Sequence, residues 1–475
     1  MVMKNILLVL MSLFLFSCND FFTLQPENKI NEQTFYKNQD DFETYLTGIY
    51  GGLQYLQNYI FINEVGTDNA VIQLSNAASS ETDFEYMNIS PTNDYVSGYW
   101  TNAYTTIGRV NTMFSYIDKV DFDETSKNSI KGESEFLRAL SYFNLVRLYG
   151  PVYLVKDAFT SPNQIENYDL TRKPVNDIYD FIISDLTDAE KLLPTTIPSN
   201  KGKISIGAVK TLLAEVYLTM HNYDLAAQKL KEVIDMNAYS LVDDYTKLFT
   251  EGNDDTKESI FEIEYASGNV GEGSSFGFHY YPNVINMAVF TQNQVAGGRC
   301  VPSETLFDGF ESGDLRKAMY GDQLPMSDGT TSHWLYCKKF VDYNAPSPED
   351  EGVNYLYMRY ADVLLMYAET LNELGRTSEA FAYINMVRNR AGLKDLSNLS
   401  QSDLRFAIEK ERQYELAFEC HRWFDLLRTG RTITVLNADY QKRGLTFSVD
   451  QNELLLPIPQ SQLDINPKLT QNDGY

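Results

Sequence analysis

Residues 359–388 read RYADVLLMYAETLNELGRTSEAFAYINMVR, and this stretch decides the fold. Ala368, Leu371, Ala380, Ile384 and Val387 recur at the spacing of apolar helix faces on either side of a turn at Glu373-Leu374-Gly375-Arg376. The two small residues, Ala368 and Ala380, stand twelve positions apart, where paired antiparallel helices must come close. The arrangement occurs once earlier. Ala214, Tyr217, Ala226, Leu230 and Val233 straddle His221-Asn222-Tyr223-Asp224, with Ala214 and Ala226 again twelve apart.

That is the spacing of a tetratricopeptide hairpin. Because the alanine pairs fall far apart in the chain, they form no tandem array and predict a helical scaffold interrupted by a large insertion. Outward from them, apolar spacing predicts helices over about 35–56, 99–117, 125–149 and 175–193, the third stopped by Gly150-Pro151 and the last by Pro194. Residues 63–98 are rich in Asn, Ser, Asp and Gly and read as a long irregular stretch. The insertion, about 241–350, holds a short strand candidate at 259–265 and glycine-rich pieces, and loops of such length are usually functional. A strongly charged helix is expected over 402–429, and Pro457, Pro459 and Pro467 exclude a long helix at the end. The expected fold is mostly α: a tetratricopeptide-like helix-pair scaffold with long irregular loops and minor β, forming a single domain over 32–475 with a helical part at 32–240, the insertion at 241–350 and a C-terminal part at 351–475.

Composition narrows the function. The 475 residues are 43% hydrophobic and 22% charged, as in a folded protein. A formal net charge of −26 repels phosphate backbones and anionic lipid surfaces, so nucleic acid is not an expected partner. The chain carries 33 Tyr, 27 Phe and 3 Trp, and only part of so much tyrosine can be core, because each hydroxyl wants a partner or water.

The N-terminus differs in kind. Lys4 precedes an apolar run from Ile6 to Phe16 that is too short to span a bilayer and reads as an export signal over 1–17. Leu15-Phe16-Ser17-Cys18 resembles a lipobox, which implies lipidation of Cys18 and a lipid-anchored tether over 18–31. The remaining cysteines, Cys300, Cys337 and Cys420, lack any C-x-x-C spacing, so neither a zinc site nor a disulfide framework is expected; whether Cys300 and Cys337 pair stays open. No metal and no cofactor are expected.

Four blocks of sequence carry a family resemblance. Arg138-Ala139-Leu140-Ser141-Tyr142-Phe143 through Leu148-Tyr149-Gly150-Pro151-Val152 is the first, and Arg359 to Leu365 with Ala368-Glu369, Asn372 to Gly375 and Asn385 to Arg388 the second. Glu411-Arg412, Glu415 to Glu419 and His421 to Leu426 form the third, and Leu456-Pro457-Ile458-Pro459 with Asn466-Pro467 and Gln471 to Tyr475 the fourth. In this order they resemble the SusD/RagB family of Bacteroidetes outer-membrane lipoproteins over nearly the whole mature chain; Cys420 stands where the family often has glycine. The resemblance implies a cell-surface, outer-membrane lipoprotein with a looped ligand-binding face, no catalysis, and a SusC-like TonB-dependent transporter as partner. Most such proteins hold oligosaccharides for import, and the RagB-like branch handles peptides instead.

Sugar rings present flat C–H faces that pack on aromatic rings, and their hydroxyls need Asn, Asp, Gln or Arg. Loop segments with that mixture supply the ligand-binding candidates: Asp68 and Asn69; Tyr95, Tyr99 and Trp100; Phe276, Tyr280 and Tyr281; and Trp334 with Tyr336. Tyr280 and Tyr281 are adjacent, so one at most is expected to reach ligand. Three enzyme-like patterns are present. Glu415 and Glu419 stand four apart, as a helical carboxylate pair would, but the surrounding Arg412, Arg422, Asp425 and Arg428 favour structural ion pairs. Gly273-Ser274-Ser275-Phe276-Gly277 fits a nucleophile elbow formally, yet no helix is expected after it. His421 beside Trp423 reads as a packed histidine. A surface glycosidase and a purely structural subunit are the remaining alternatives.

Overall fold

The computed structural model describes residues 35–73, 77–159, 161–250, 252–290 and 295–475. The export signal, Cys18 and the tether lie outside them. The fold is mostly helical, with six short strands among the described residues.

The helix-pair scaffold begins with α1 (Gln39–Gly51), α2 (Ser79–Glu85), α3 (Asp94–Ile117), α4 (Glu124–Tyr149) and α5 (Val175–Leu192). α3 starts five residues before the expected Tyr99, because Asn93 Oδ1 accepts from the amides of Tyr95 and Val96 at 3.0 and 3.3 Å and so nucleates the first turn. Asp123 caps α4 in the same way through Ser126, and α4 ends at Gly150, whose φ of +70° suits glycine, just before Pro151. The first alanine-paired hairpin is α6 (Ile206–Thr219) and α7 (Tyr223–Asp235); the second is α9 (Tyr360–Glu373) and α10 (Thr377–Arg390), with α8 (Phe276–Tyr280) between them in the chain. Ala214, Ala226, Ala368 and Ala380 are all 0% exposed, as close helix approach requires. α3 packs on α4, α4 on α5, α5 on α6, and α7 directly on α9, so the two hairpins stack although the insertion separates them in sequence.

The charged helix expected over 402–429 is broken. It runs as α11 (Gln401–Leu416), a reversal at 417–421, and α12 (Arg422–Arg428). Phe418 and Cys420 adopt φ of +67° and +63°, a left-handed conformation that L-residues with side chains avoid. Glu415 and Glu419 therefore do not share a helix face, yet both reach one buried ion network. Glu415 accepts from Arg359 and Arg390 through Oε1 and from Arg316 through Oε2, and Glu419 accepts from Arg359 and Lys339. All of these groups are buried.

The insertion contributes strands to three antiparallel pairs. β1 (Ala70–Val71) pairs with β3 (Val301–Pro302), β2 (Ser259–Ile263) with β6 (Tyr355–Arg359), and β4 (Tyr320–Pro325) with β5 (Thr331–Cys337). β2 is fully buried and in register with the start of the second hairpin, Ser259 opposite Arg359, which ties the insertion to the scaffold. Cys300, Cys337 and Cys420 are buried free thiols. Among the described residues no helix is long and apolar enough to cross a membrane, and no group of three His, Cys, Asp or Glu side chains is arranged to hold a metal ion.

Candidate ligand-binding site

The insertion carries a small aromatic core separate from the main one. Segment 297–300 folds back on 278–281: the amides of Gly297, Gly298 and Cys300 donate to the carbonyls of Phe278, Tyr281 and His279 at 2.6, 2.9 and 2.9 Å. Glycine is required at Gly297, since a Cβ there would lie 2.4 Å from the Phe278 ring. Pro282 forces α8 to stop, and at that point Tyr280 and Tyr281 part company. Tyr280 turns into the main core, 0% exposed, its hydroxyl donating to the Phe418 carbonyl at 3.1 Å. Tyr281 turns into the small core, stacks on Tyr336 at 4.8 Å and 27°, and meets Phe290 edge-on at 5.2 Å.

That small core consists of Tyr281, Met287, Phe290, Ala296, Leu324, Tyr336 and Val341. The β4–β5 hairpin supplies two of these and also Trp334, which is 37% exposed. Tyr343, 36% exposed, shares a 2.9 Å hydrogen bond between its hydroxyl and that of Tyr281, and its ring lies parallel to Phe290 at 6.4 Å. Ile285 and Val295, at 73% and 37%, are exposed in the same segment. Tyr281 and Tyr336 are thus the buried floor beneath exposed Tyr343, and Trp334 meets solvent two residues before Tyr336 on β5. Stacked and edge-on rings hold each other rigid, so an exposed ring mounted on them binds with little loss of conformational freedom.

Polar groups flank this platform. Gln73 Oε1 accepts from the Asn283 amide at 3.1 Å, and its buried Nε2 has no hydrogen-bond partner among the described residues. Arg299 pairs with Glu81 of α2 at 3.4 Å, and the hydroxyl of half-buried Tyr95 donates weakly to the same carboxylate at 3.5 Å. His279 lies beneath, edge-on to Phe61 at 5.5 Å; burial, with Arg299 adding to it, pushes its pKa down to about 3, so it is neutral.

Of the ten expected ligand contacts, eight are buried: Tyr281 and Tyr336 in the small core and six in the main framework. Asp68 receives both the Nε and Nη2 of Arg422, at 2.8 and 2.9 Å, and Asn69, 0% exposed, donates to Glu64 and accepts from Gln413. Tyr99 donates to the Asn58 carbonyl at 2.7 Å, and Trp100 packs edge-on against Tyr149; both are about 1% exposed, as is Phe276. Together with Tyr280 these are framework residues: Asp68 and Asn69 lie in a buried turn before β1, Tyr99 and Trp100 on the buried face of α3, and Phe276 and Tyr280 in α8. Tyr281 and Tyr336 form the floor of the platform, Trp334 is exposed on β5, and half-buried Tyr95 packs on Phe61 at 4.3 Å. Tyr343, Phe290 and Gln73 were missed; the only sequence signal for Tyr343 was a tyrosine in a loop leading to Pro346-Ser347-Pro348.

The enzyme-like patterns dissolve. Burial raises the Glu415 carboxyl pKa, but Arg390, Arg359 and Arg316 outweigh it and hold the group well below the usual range, as a fixed counter-ion. A helix does follow Gly273–Gly277, contrary to expectation: five-residue α8 begins at Phe276, with Ser275 at its N-cap. Ser275 nevertheless donates its hydroxyl to Gln57 Oε1 at 3.0 Å rather than to an imidazole. His421 is half-buried at the start of α12. A cavity of about 1140 Å³ shares no residue with the platform and is lined by many carboxylates against one lysine, Lys203. Burial raises Glu133 there and pushes Glu262 up to about 7, but Glu133 accepts from Tyr50 at 2.6 Å and Glu262 from Asn354 at 3.1 Å.

Known proteins share this architecture. Residues 316–475 match a family model described as the SusD family, and residues 20–218 match one described as starch-binding associating with outer membrane. SusD-like protein P2 of Formosa agariphila is 27% identical, with 99% of each chain covered. A solved laminarin-binding SusD-like protein superposes with a TM-score of 0.80 at 27% identity, covering 93% of this chain and 100% of that one. Surface glycan-binding protein A from Bacteroides thetaiotaomicron, in complex with laminarihexaose, superposes with a TM-score of 0.75 at 21% identity over 91% and 99% of the two chains, a likeness of fold.

Proposed function

The chain belongs to the SusD/RagB family, and from that premise and the aromatic platform we propose that it captures an oligosaccharide at the cell surface without cleaving it and passes it to a SusC-like TonB-dependent outer-membrane transporter. The observation that carries the reading is exposed Tyr343, hydrogen-bonded to Tyr281 over the packed Tyr281, Tyr336 and Phe290 rings, with exposed Trp334 two residues before Tyr336 on β5. Rigid, half-exposed rings match the C–H faces of pyranoses. A laminarin-binding protein of the same fold supports sugar as the cargo. In this reading residues 1–17 are removed, Cys18 is acylated, 18–31 tether the single domain 32–475 to the outer membrane, and no cofactor takes part. Binding without chemistry is supported by the commitment of Glu415, Glu419 and Ser275 to internal partners.

The test is retention on a panel of immobilised polysaccharides, followed by titration calorimetry with the matching hexasaccharide. Retention of one glycan class, weakened in Trp334→Ala, is the expected result. Retention of peptides and of no glycan would overturn it in favour of a RagB-like cargo, and accumulation of new reducing ends would overturn the non-catalytic reading.

A further inference from the structure

A second cavity, of about 500 Å³, opens on the C-terminal half of α3 and shares no residue with the platform. Its size falls in the range of small-ligand pockets. Four rings line it: Tyr45, Tyr104, Tyr153 and Phe159, all half-buried. Tyr104 and Tyr153 stack at 4.2 Å and 28°, and the buried Trp100 backs both, at 5.1 and 5.6 Å. The Tyr104 hydroxyl is fixed to the Tyr153 carbonyl at 2.8 Å, so this wall is as rigid as the platform.

Two further features are unexplained by the fold. Arg109 lines the cavity and is anchored by one hydrogen bond, Nη1 to the Gly48 carbonyl at 2.9 Å, but among the described residues it makes no ion pair, neither with Asp157 in the same cavity nor elsewhere. In a chain with 65 acidic and 39 basic residues, an arginine left without a carboxylate is unusual. Gly108 lies inside α3 and also lines the cavity. A helix-interior glycine is about 1 kcal/mol less favourable than alanine. Gly98, in the same helix, has a packing reason, since its Cβ would lie 1.6 Å from the Tyr55 hydroxyl; a Cβ on Gly108 would meet nothing within 4 Å. The absent side chain at Gly108 leaves the cavity open without serving the packing.

We infer that this cavity is a second carbohydrate subsite, in which a pyranose unit packs on the Tyr104–Tyr153 wall and its hydroxyls bridge Arg109 and Asp157. The inference rests on the reading of the protein as a glycan binder and adds a place where the same glycan is held. Planar charged groups separated by a gap suit neighbouring hydroxyls, which donate to the carboxylate and accept from the guanidinium.

The test is calorimetric stoichiometry with laminarihexaose, cellohexaose, maltohexaose and xylohexaose on the full mature chain, Trp334→Ala, Gly108→Leu and Arg109→Gln. The expected result is two molecules of one hexasaccharide per wild-type chain and one in either Trp334→Ala or Gly108→Leu, with the remaining site within twofold of its original affinity. Arg109→Gln, which fills no space, is expected to weaken the second site about tenfold and serves if Gly108→Leu folds poorly. One molecule per wild-type chain, unaffected by Gly108→Leu and Arg109→Gln but lost in Trp334→Ala, overturns the second subsite and leaves the platform standing. Loss in Gly108→Leu with no change in Trp334→Ala upholds the second subsite and overturns the platform. Binding of none of the four sugars overturns the inference.

Discussion

Glu415→Gln perturbs the buried centre of the scaffold with almost no change in shape. Glu415 is 0% exposed and its carboxylate meets Arg359 at 2.5 Å and Arg316 at 3.1 Å, with Arg390 as a third partner. These arginines, with Lys339 and Arg388, are shared with Glu258, Glu411, Glu419 and Asp314, so five cations balance five carboxylates in a buried region. Removing one charge of a buried, hydrogen-bonded set leaves an uncompensated cation and typically costs about 3–5 kcal/mol. With an unfolding entropy of about 2.1 cal/mol/K per residue, a chain of this size shifts roughly 1 °C per kcal/mol, so Tm is expected to fall by about 3–5 °C. Thermal unfolding followed by circular dichroism at pH 7 reads this directly, and calorimetry on the folded variant is expected to show unchanged glycan affinity. A Tm within 1 °C of wild type would refute the reasoning, as would loss of glycan binding in a variant that melts normally.

Glycines in one helix give predictions of opposite sign. Gly98→Ala drives a methyl into the Tyr55 hydroxyl and is expected to destabilise by about 1–3 kcal/mol, whereas Gly108→Ala enters open space and is expected to stabilise by about 0.5–1 kcal/mol; urea midpoints moving in the same direction would contradict this. Glu64 is held by burial at about 7, well above the usual 4.5, so the folded state keeps its proton where the unfolded state has lost it. Stability from this group is full below pH 4.5, declines by roughly 3 kcal/mol as pH rises to 7, and is flat beyond. Urea unfolding of wild type and Glu64→Gln across pH 4.5–7.5 should therefore diverge by about that amount, and parallel profiles would rule the assignment out. Asp68→Asn removes the bidentate pair with Arg422 and is expected to lower stability by about 3 kcal/mol while glycan affinity stays unchanged; a tenfold affinity loss at normal stability would restore Asp68 as a ligand contact.

The scaffold was legible because local pattern and tertiary role agree. Ala214, Ala226, Ala368 and Ala380 are small where helices cross, and turn residues separate the helices, so spacing alone exposed the hairpins. The reversal after Leu416 was not legible from pattern, since charges continue at helical intervals through Asp425 and no proline or glycine interrupts them. The signal was indirect: Cys420, φ +63°, stands where the family resemblance implies glycine, the residue that adopts such a backbone without strain. Site residues were harder. Asp68, Tyr99 and Trp100 have the chemistry of ligand contacts, but partners far away in the sequence, Arg422 for Asp68 and Asn58 for Tyr99, decide that they face inward. Trp334 stays exposed, because a tryptophan on a short strand inside a polar loop has few ways to be buried. Tyr343 gains its role from one hydroxyl contact with Tyr281, which no local pattern encodes.

The most direct measurement of the central claim is a crystal structure of the chain with the hexasaccharide that it retains. The account predicts intact sugar rings in van der Waals contact with Trp334 and Tyr343, above the Tyr281–Tyr336 stack. Sugar seated only in the carboxylate-lined cavity beside Glu133 and Glu262, with the platform bare, would contradict it.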